Sequence, residues 1–68
     1  MAVDAKEHGE VTYKNKAGEP VAEMVSIDRR TAFILYDLRK GKRKKLGQGK
    51  NPKDLEEKYN VMRIMEEK

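Results

Sequence analysis

One stretch of this chain belongs at the centre of a fold. Thr31-Ala32-Phe33-Ile34-Leu35-Tyr36-Asp37-Leu38 is apolar on both faces of an extended chain and rich in β-branched and aromatic residues. That is the make-up of a strand covered on both sides. Everything else must pair with it or pack on it, because the chain has only 68 residues. A domain of that length hides about 60% of the surface its unfolded chain exposes, so its core is small.

Two weaker strands precede the central run. Val11 and Tyr13 alternate with Glu10, Thr12 and Lys14, which predicts a half-buried strand over 10–14. Asn15-Lys16-Ala17-Gly18 is a turn signal, with Gly18 able to take a positive φ. Pro20 stands at the start of the next strand, Val21–Ile27, which places Val21, Val25 and Ile27 on one face. These two runs read as a hairpin, and Asp28-Arg29-Arg30 is a short polar connection to the central strand. Residues 1–9 show no periodicity and are expected to form a flexible tail, leaving 10–68 as a single small basic domain.

After the central run, Arg39-Lys40-Gly41-Lys42 is a tight-turn candidate. Lys42–Leu46 then returns as a strand so charged that it must lie near an edge. Gly47-Gln48-Gly49 reads as a break. Asn51-Pro52-Lys53-Asp54 is a helix start: Asn at the N-cap, Pro at the first helical position, and Asp54 near the positive helix end. Leu55 and Tyr59, four apart, share a helical face. Asn60 is able to end the helix in the left-handed region, with Val61–Met65 as a final strand; the alternative is a helix that continues through Met62 to the end. The strand is preferred, because Val61, Met62, Ile64 and Met65 leave no clean polar side on a helical wheel.

The expected fold class is therefore α+β. It is a small β-rich domain of order β-β-β-β-α with a possible final strand, forming either a twisted sheet or an SH3-like barrel with one helix. The expected core is Val11, Tyr13, Val21, Val25, Ile27, Phe33, Leu35, Leu46, Leu55, Tyr59 and Met62.

Several kinds of chemistry lack the residues they need. With no cysteine there is no disulfide, thiolate metal site or cysteine nucleophile, which also fits a reducing, cytoplasmic setting. His8 is the only histidine; with Glu7 and Glu10 it makes a poor metal site on a tail. Ser26, the only serine, has no histidine near it in the expected fold. The carboxylates cluster at the two ends in solvated patterns, unlike a pair tuned for acid–base work. No metal or cofactor is expected, and no enzymatic activity. No apolar run approaches the roughly 20 residues of a membrane span, and residues 1–8 lack the basic-then-apolar pattern of a signal peptide.

What remains is charge. The net +4 hides a division: residues 1–28 carry −3, residues 29–53 carry +9, and residues 54–68 carry −2. From 39 to 53 there are eight Lys or Arg and no acid. Cations packed this closely repel one another, and a polyanion relieves that repulsion while releasing its own counterions. The expectation is a nucleic-acid-binding module, for DNA or RNA, that contacts phosphates and has little base selectivity. Lys40, Lys42, Arg43, Lys44 and Lys45 supply the charge, with Lys50, Lys53, Arg29 and Arg30 behind them and Tyr36 as a stacking platform. Gly47–Pro52 is a weaker phosphate cradle at a helix start. The alternative partner is an acidic protein, docked by strand addition at the Lys42–Leu46 edge; attachment to an anionic membrane ranks last for want of an amphipathic helix. The acidic ends of the chain itself are a further candidate for what the basic stretch meets.

The length, the lysine-rich second hairpin and the late capped helix, carried by Phe33–Asp37, Gly41-Lys42 and Gly47–Gly49, resemble the layout of the seven-kilodalton archaeal chromatin proteins over about residues 10–60. The resemblance implies an SH3-like barrel. The chain lacks the tryptophan of that family's DNA-facing sheet, so no site residue is carried over.

Overall fold

The computed structural model describes residues 7–66. Four strands come first: β1 (His8–Lys14), β2 (Pro20–Ile27), β3 (Ala32–Asp37) and β4 (Lys44–Gly49). Two short helices follow, α1 (Pro52–Lys58) and α2 (Val61–Glu66). The strands form one antiparallel sheet in the order β1-β2-β3-β4. The sheet is open, with β1 and β4 as its edges, so of the two expected architectures the twisted sheet is realised and the barrel is not. The doubly apolar run is indeed interior, paired on both sides. β1 begins at His8, inside the stretch expected to be tail; the rest of that expectation, over residues 1–6, lies outside the described residues.

Each turn has a local cause. Asn15 accepts backbone N–H groups from Ala17 (2.9 Å) and Glu19 (3.0 Å) on its side-chain oxygen, and Gly18 takes φ 82°. Asx turns of this kind offer the backbone partners that a strand would otherwise supply. The β2–β3 turn is less relaxed. Asp28, Arg29 and Arg30 all have positive φ, at 50°, 57° and 70°, closed by the Thr31 N–H donating to the Ile27 carbonyl (3.1 Å). The Asn51 side chain caps α1 by accepting the Lys53 N–H (2.9 Å), with Pro52 opening the helix. Asn60, at φ 50°, divides α1 from α2.

Register decides which side of the sheet is the core. Met24 pairs with Leu35 and Ser26 with Phe33, so Ala22, Met24, Phe33 and Leu35 share one face. Tyr13 joins them from β1, and Leu55, Val61 and Ile64 cover them from the helices. Met24 and Leu35 are fully buried, and truncating either to Ala removes roughly 2–5 kcal/mol. Of the β2 residues expected in the core, Val21 belongs to this cluster, whereas Val25 and Ile27 do not. Val25 lies on the opposite face, where it is buried beside Ile34 but outside this cluster. Ile27 is only half-buried, and Val11 and Met62 are 46% and 70% exposed.

Two further expectations are corrected. Val61–Met65 is helical, not a strand: Val61 and Ile64, three apart, reach the core while Met62 and Arg63 face outward. The Gly47-Gln48-Gly49 segment continues β4 and does not break it. Gly47 faces the helices, and a Cβ placed on it would stand 2.5 Å and 2.6 Å from Cε2 and Cζ of Tyr59, with the hydroxyl closer still. This glycine exists for close approach. A bulge between Leu35 and Tyr36 lets Leu46 turn toward the core while Lys45 pairs with Tyr36 on the other face.

Candidate nucleic-acid interface

The strand positions set where each cation stands. Lys40 and Lys42 lie in the β3–β4 loop, where Gly41 takes φ 78°. Lys44 and Lys45 begin β4, two residues later than expected, and Lys44 pairs with Asp37. Gly49, at the far end of β4, pairs with Phe33, which brings Lys50 to the end of the sheet that carries Arg29 and Arg30. Lys53 is in the first turn of α1. The stretch from Lys44 to Lys50 covers roughly 20 Å at the usual strand rise. Lysines therefore stand at both ends of one edge strand, with Lys40 and Lys42 beyond its start and Lys53 beyond its end.

The arginines are placed differently from the lysines. Arg43 stacks on the Tyr36 ring, 3.9 Å from its centroid. It donates from Nη2 to Glu7 (2.7 Å) and pairs through Nε with Glu23 (3.0 Å). The Tyr36 hydroxyl also donates to Glu7 (2.6 Å). These contacts raise the pKa of both partners, chiefly through the hydrogen bond each gives Glu7. The same two bonds, Tyr36 first and Arg43 second, hold the Glu7 carboxyl below its ordinary range. Arg39 forks onto Asp37 at 3.1 Å and 2.9 Å, and this hydrogen bonding is the main reason the Asp37 carboxyl titrates low. Arg30 lies 3.4 Å from Glu10 and over the Phe33 ring, while Glu10 also accepts the buried Ser26 hydroxyl (2.7 Å).

The ten residues expected at the interface thus divide. Arg30, Arg43 and Tyr36 are engaged by the protein's own carboxylates, and Lys45 donates to Gln48 (2.9 Å). Arg29, Lys40, Lys42, Lys44, Lys50 and Lys53 are exposed and make no ion pair or side-chain hydrogen bond among the described residues. The expected stacking face of Tyr36 is occupied by Arg43. The phosphate cradle at Gly47–Pro52 does not form: both glycines lie in the strand ladder, and the Asn51 side chain takes the Lys53 N–H. Glu7 and Glu23 were missed as partners of this surface. The acidic ends of the chain were their only signal, and 36 residues separate Glu7 from Arg43.

Open grooves of about 450 and 290 Å³ flank Arg39, the first beside Pro20, Val21 and Leu38, the second beside Leu46, Tyr59 and Arg63. Neither brings together an acid, a base and a nucleophile. Among the described residues no three His, Asp or Glu are grouped to hold a metal ion, and no helix is long and apolar enough to cross a membrane. The chain matches no protein-family model, and no curated protein or solved structure is significantly similar to it.

Proposed function

We propose that the chain is a non-enzymatic DNA- or RNA-binding module that holds phosphates along the β4 edge and its two ends. One observation carries the reading: three of the four arginines in residues 29–53 are paired with carboxylates, whereas Arg29 and five lysines of that stretch stay open among the described residues. Arg30, Arg39 and Arg43 each meet a carboxylate, whereas Lys40, Lys42, Lys44, Lys50 and Lys53 meet none among the described residues. Lysine is a hydrated point charge suited to phosphate and poorly suited to forked recognition of a base edge. Such a surface favours backbone contact with low sequence specificity. The free edge of β4 also supports a second reading, in which an acidic protein segment adds a strand there.

Titration of a short duplex at several salt concentrations tests the proposal. Affinity falls with salt along a log–log slope of about 0.9 per phosphate neutralised, and the triple variant K40Q/K42Q/K44Q lowers that slope by about 2–3. A flat salt dependence, or no binding at low salt, overturns it. Binding of an acidic peptide in place of the duplex selects the second reading.

A further inference from the structure

Arg43 and Tyr36 sit within the basic surface, yet their donors are already taken by Glu7. The manner of occupation is informative. One Glu7 oxygen accepts the Tyr36 hydroxyl at 2.6 Å and the other accepts Arg43 Nη2 at 2.7 Å. Two divergent acceptor oxygens sharing one negative charge are also what a phosphodiester presents. The donors do not depend on Glu7 for their placement. Stacking at 3.9 Å fixes the guanidinium on the Tyr36 ring, and Glu23 holds its Nε edge at 3.0 Å. Glu7 itself belongs to no strand or helix and lies just before β1. The pair is exposed, with 46% of the Arg43 side chain and 33% of that of Glu7 open to solvent. At such sites an ion pair shifts an equilibrium by about fivefold or less, so exchange with an outside anion is within reach. Lys45, the cross-strand neighbour of Tyr36, adds positive charge beside the site.

From this geometry we infer that Tyr36 and Arg43 form a phosphate site for a nucleic-acid backbone, and that Glu7 fills it as an internal competitor. The inference rests on the nucleic-acid reading above and adds to it. The lysines are open at all times, whereas the one arginine-plus-tyrosine site opens only when Glu7 leaves. The low-titrating Glu7 carboxyl is consistent with a full anion in the site at neutral pH.

The test compares wild type, E7Q, R43Q, E7Q/R43Q and E57Q in salt-dependent titrations of one oligonucleotide duplex. Glu57 is an exposed α1 acid without a side-chain partner among the described residues, so E57Q reports the bare effect of losing one negative charge. E7Q is expected to bind up to about fivefold tighter, to steepen the slope by about 0.9, and to shift the Tyr36 ring resonances on binding. E57Q does neither, and E7Q brings no gain when Arg43 is already Gln. Equal behaviour of E7Q and E57Q, or a gain that survives in E7Q/R43Q, overturns the inference. If wild type binds with a steep slope and only the E7Q gain is missing, the lysine edge stands and this site falls. If wild type fails to bind and E7Q binds, the reverse holds; if neither binds, both fall.

Discussion

Gly47 makes the sharpest stability prediction, because its effect reverses sign with one neighbour. In Gly47→Ala the new Cβ would stand 2.5 Å and 2.6 Å from two ring carbons of Tyr59, about 1 Å inside ordinary contact. The ring must swing away from Leu46 and the helix-covered face, where it is half-buried. Overpacking of this kind costs about 1–3 kcal/mol. Against it stands a gain of about 0.5–1 kcal/mol for Ala over Gly inside a strand, since Gly47 has no positive φ that a Cβ would oppose. In a Tyr59→Ala background the clash is gone and only the gain remains. Gly47→Ala is therefore expected to destabilise the wild type and to stabilise the Tyr59→Ala protein. The coupling between the two sites is about 1–3 kcal/mol. A chain of 68 residues has a total stability of roughly 3–10 kcal/mol, so the effect is large. Urea melts followed by far-UV circular dichroism, on all four proteins, measure it. An equal cost in both backgrounds would place the strain in the backbone of β4 and refute the assignment of this glycine to Tyr59.

Two further outcomes test other parts of the fold. Arg29 has φ 57° and no side-chain partner among the described residues, and a left-handed conformation costs a non-glycine residue roughly 1–2 kcal/mol. Arg29→Gly is expected to raise stability by about 1 kcal/mol and the melting temperature by about 4–8 °C; no rise in a thermal melt would show that the turn is unstrained there. The Tyr13 hydroxyl donates to the Glu56 carboxylate, and burial first, then Glu56, raises its pKa well above that of a free phenol. The folded state thus keeps this proton while the unfolded chain loses it near pH 10, so wild-type stability falls as pH rises past that point. Tyr13→Phe loses about 1–2 kcal/mol at neutral pH and lacks this alkaline fall, so the two urea midpoints converge above pH 10.

Much of the scaffold was legible because its signals are local. The Asn15–Gly18 turn, the Asn51-Pro52 helix start and the αL residue at Asn60 each depend on one or two side chains and their own backbone. The doubly apolar Ala32–Asp37 run could only be interior. The β2 phase was not legible, because Val21, Ala22, Met24, Val25 and Ile27 supply apolar residues to both faces. Counting β-branched residues then selects Val25 and Ile27, whereas pairing with Leu35 and Phe33 selects Met24 and Ser26. Bulges at Gly9/Val11 and at Tyr13/Lys14 shift the register further. In Gly47 the sequence signal was real, but glycine marks close approach as well as a turn. The last segment failed for another reason: six residues give fewer than two helical turns, too few for a period to show, and Met62 points outward against its hydropathy.

For the basic surface, sequence located the charge but not its partners. Glu7, Glu10 and Glu23 come from β1, β2 and the residue before them, and only the meander of the sheet carries them to Arg43 and Arg30. The consequence reaches past bookkeeping of charge. Arginine is the cation able to read a base edge with two parallel hydrogen bonds, and here Arg30, Arg39 and Arg43 are held by carboxylates. The lysines that stay open lie on and around an edge strand, where charge of this kind disfavours edge-to-edge pairing with a second copy. One set of side chains is thus suited to both tasks, since a strand edge that repels its own kind through lysine attracts a phosphate backbone by the same field. On the proposed reading, binding is sequence-tolerant because Arg30, Arg39 and Arg43 are occupied and Arg29 is the one arginine of residues 29–53 without a carboxylate among the described residues, while Arg43 is freed for a phosphate only when Glu7 leaves.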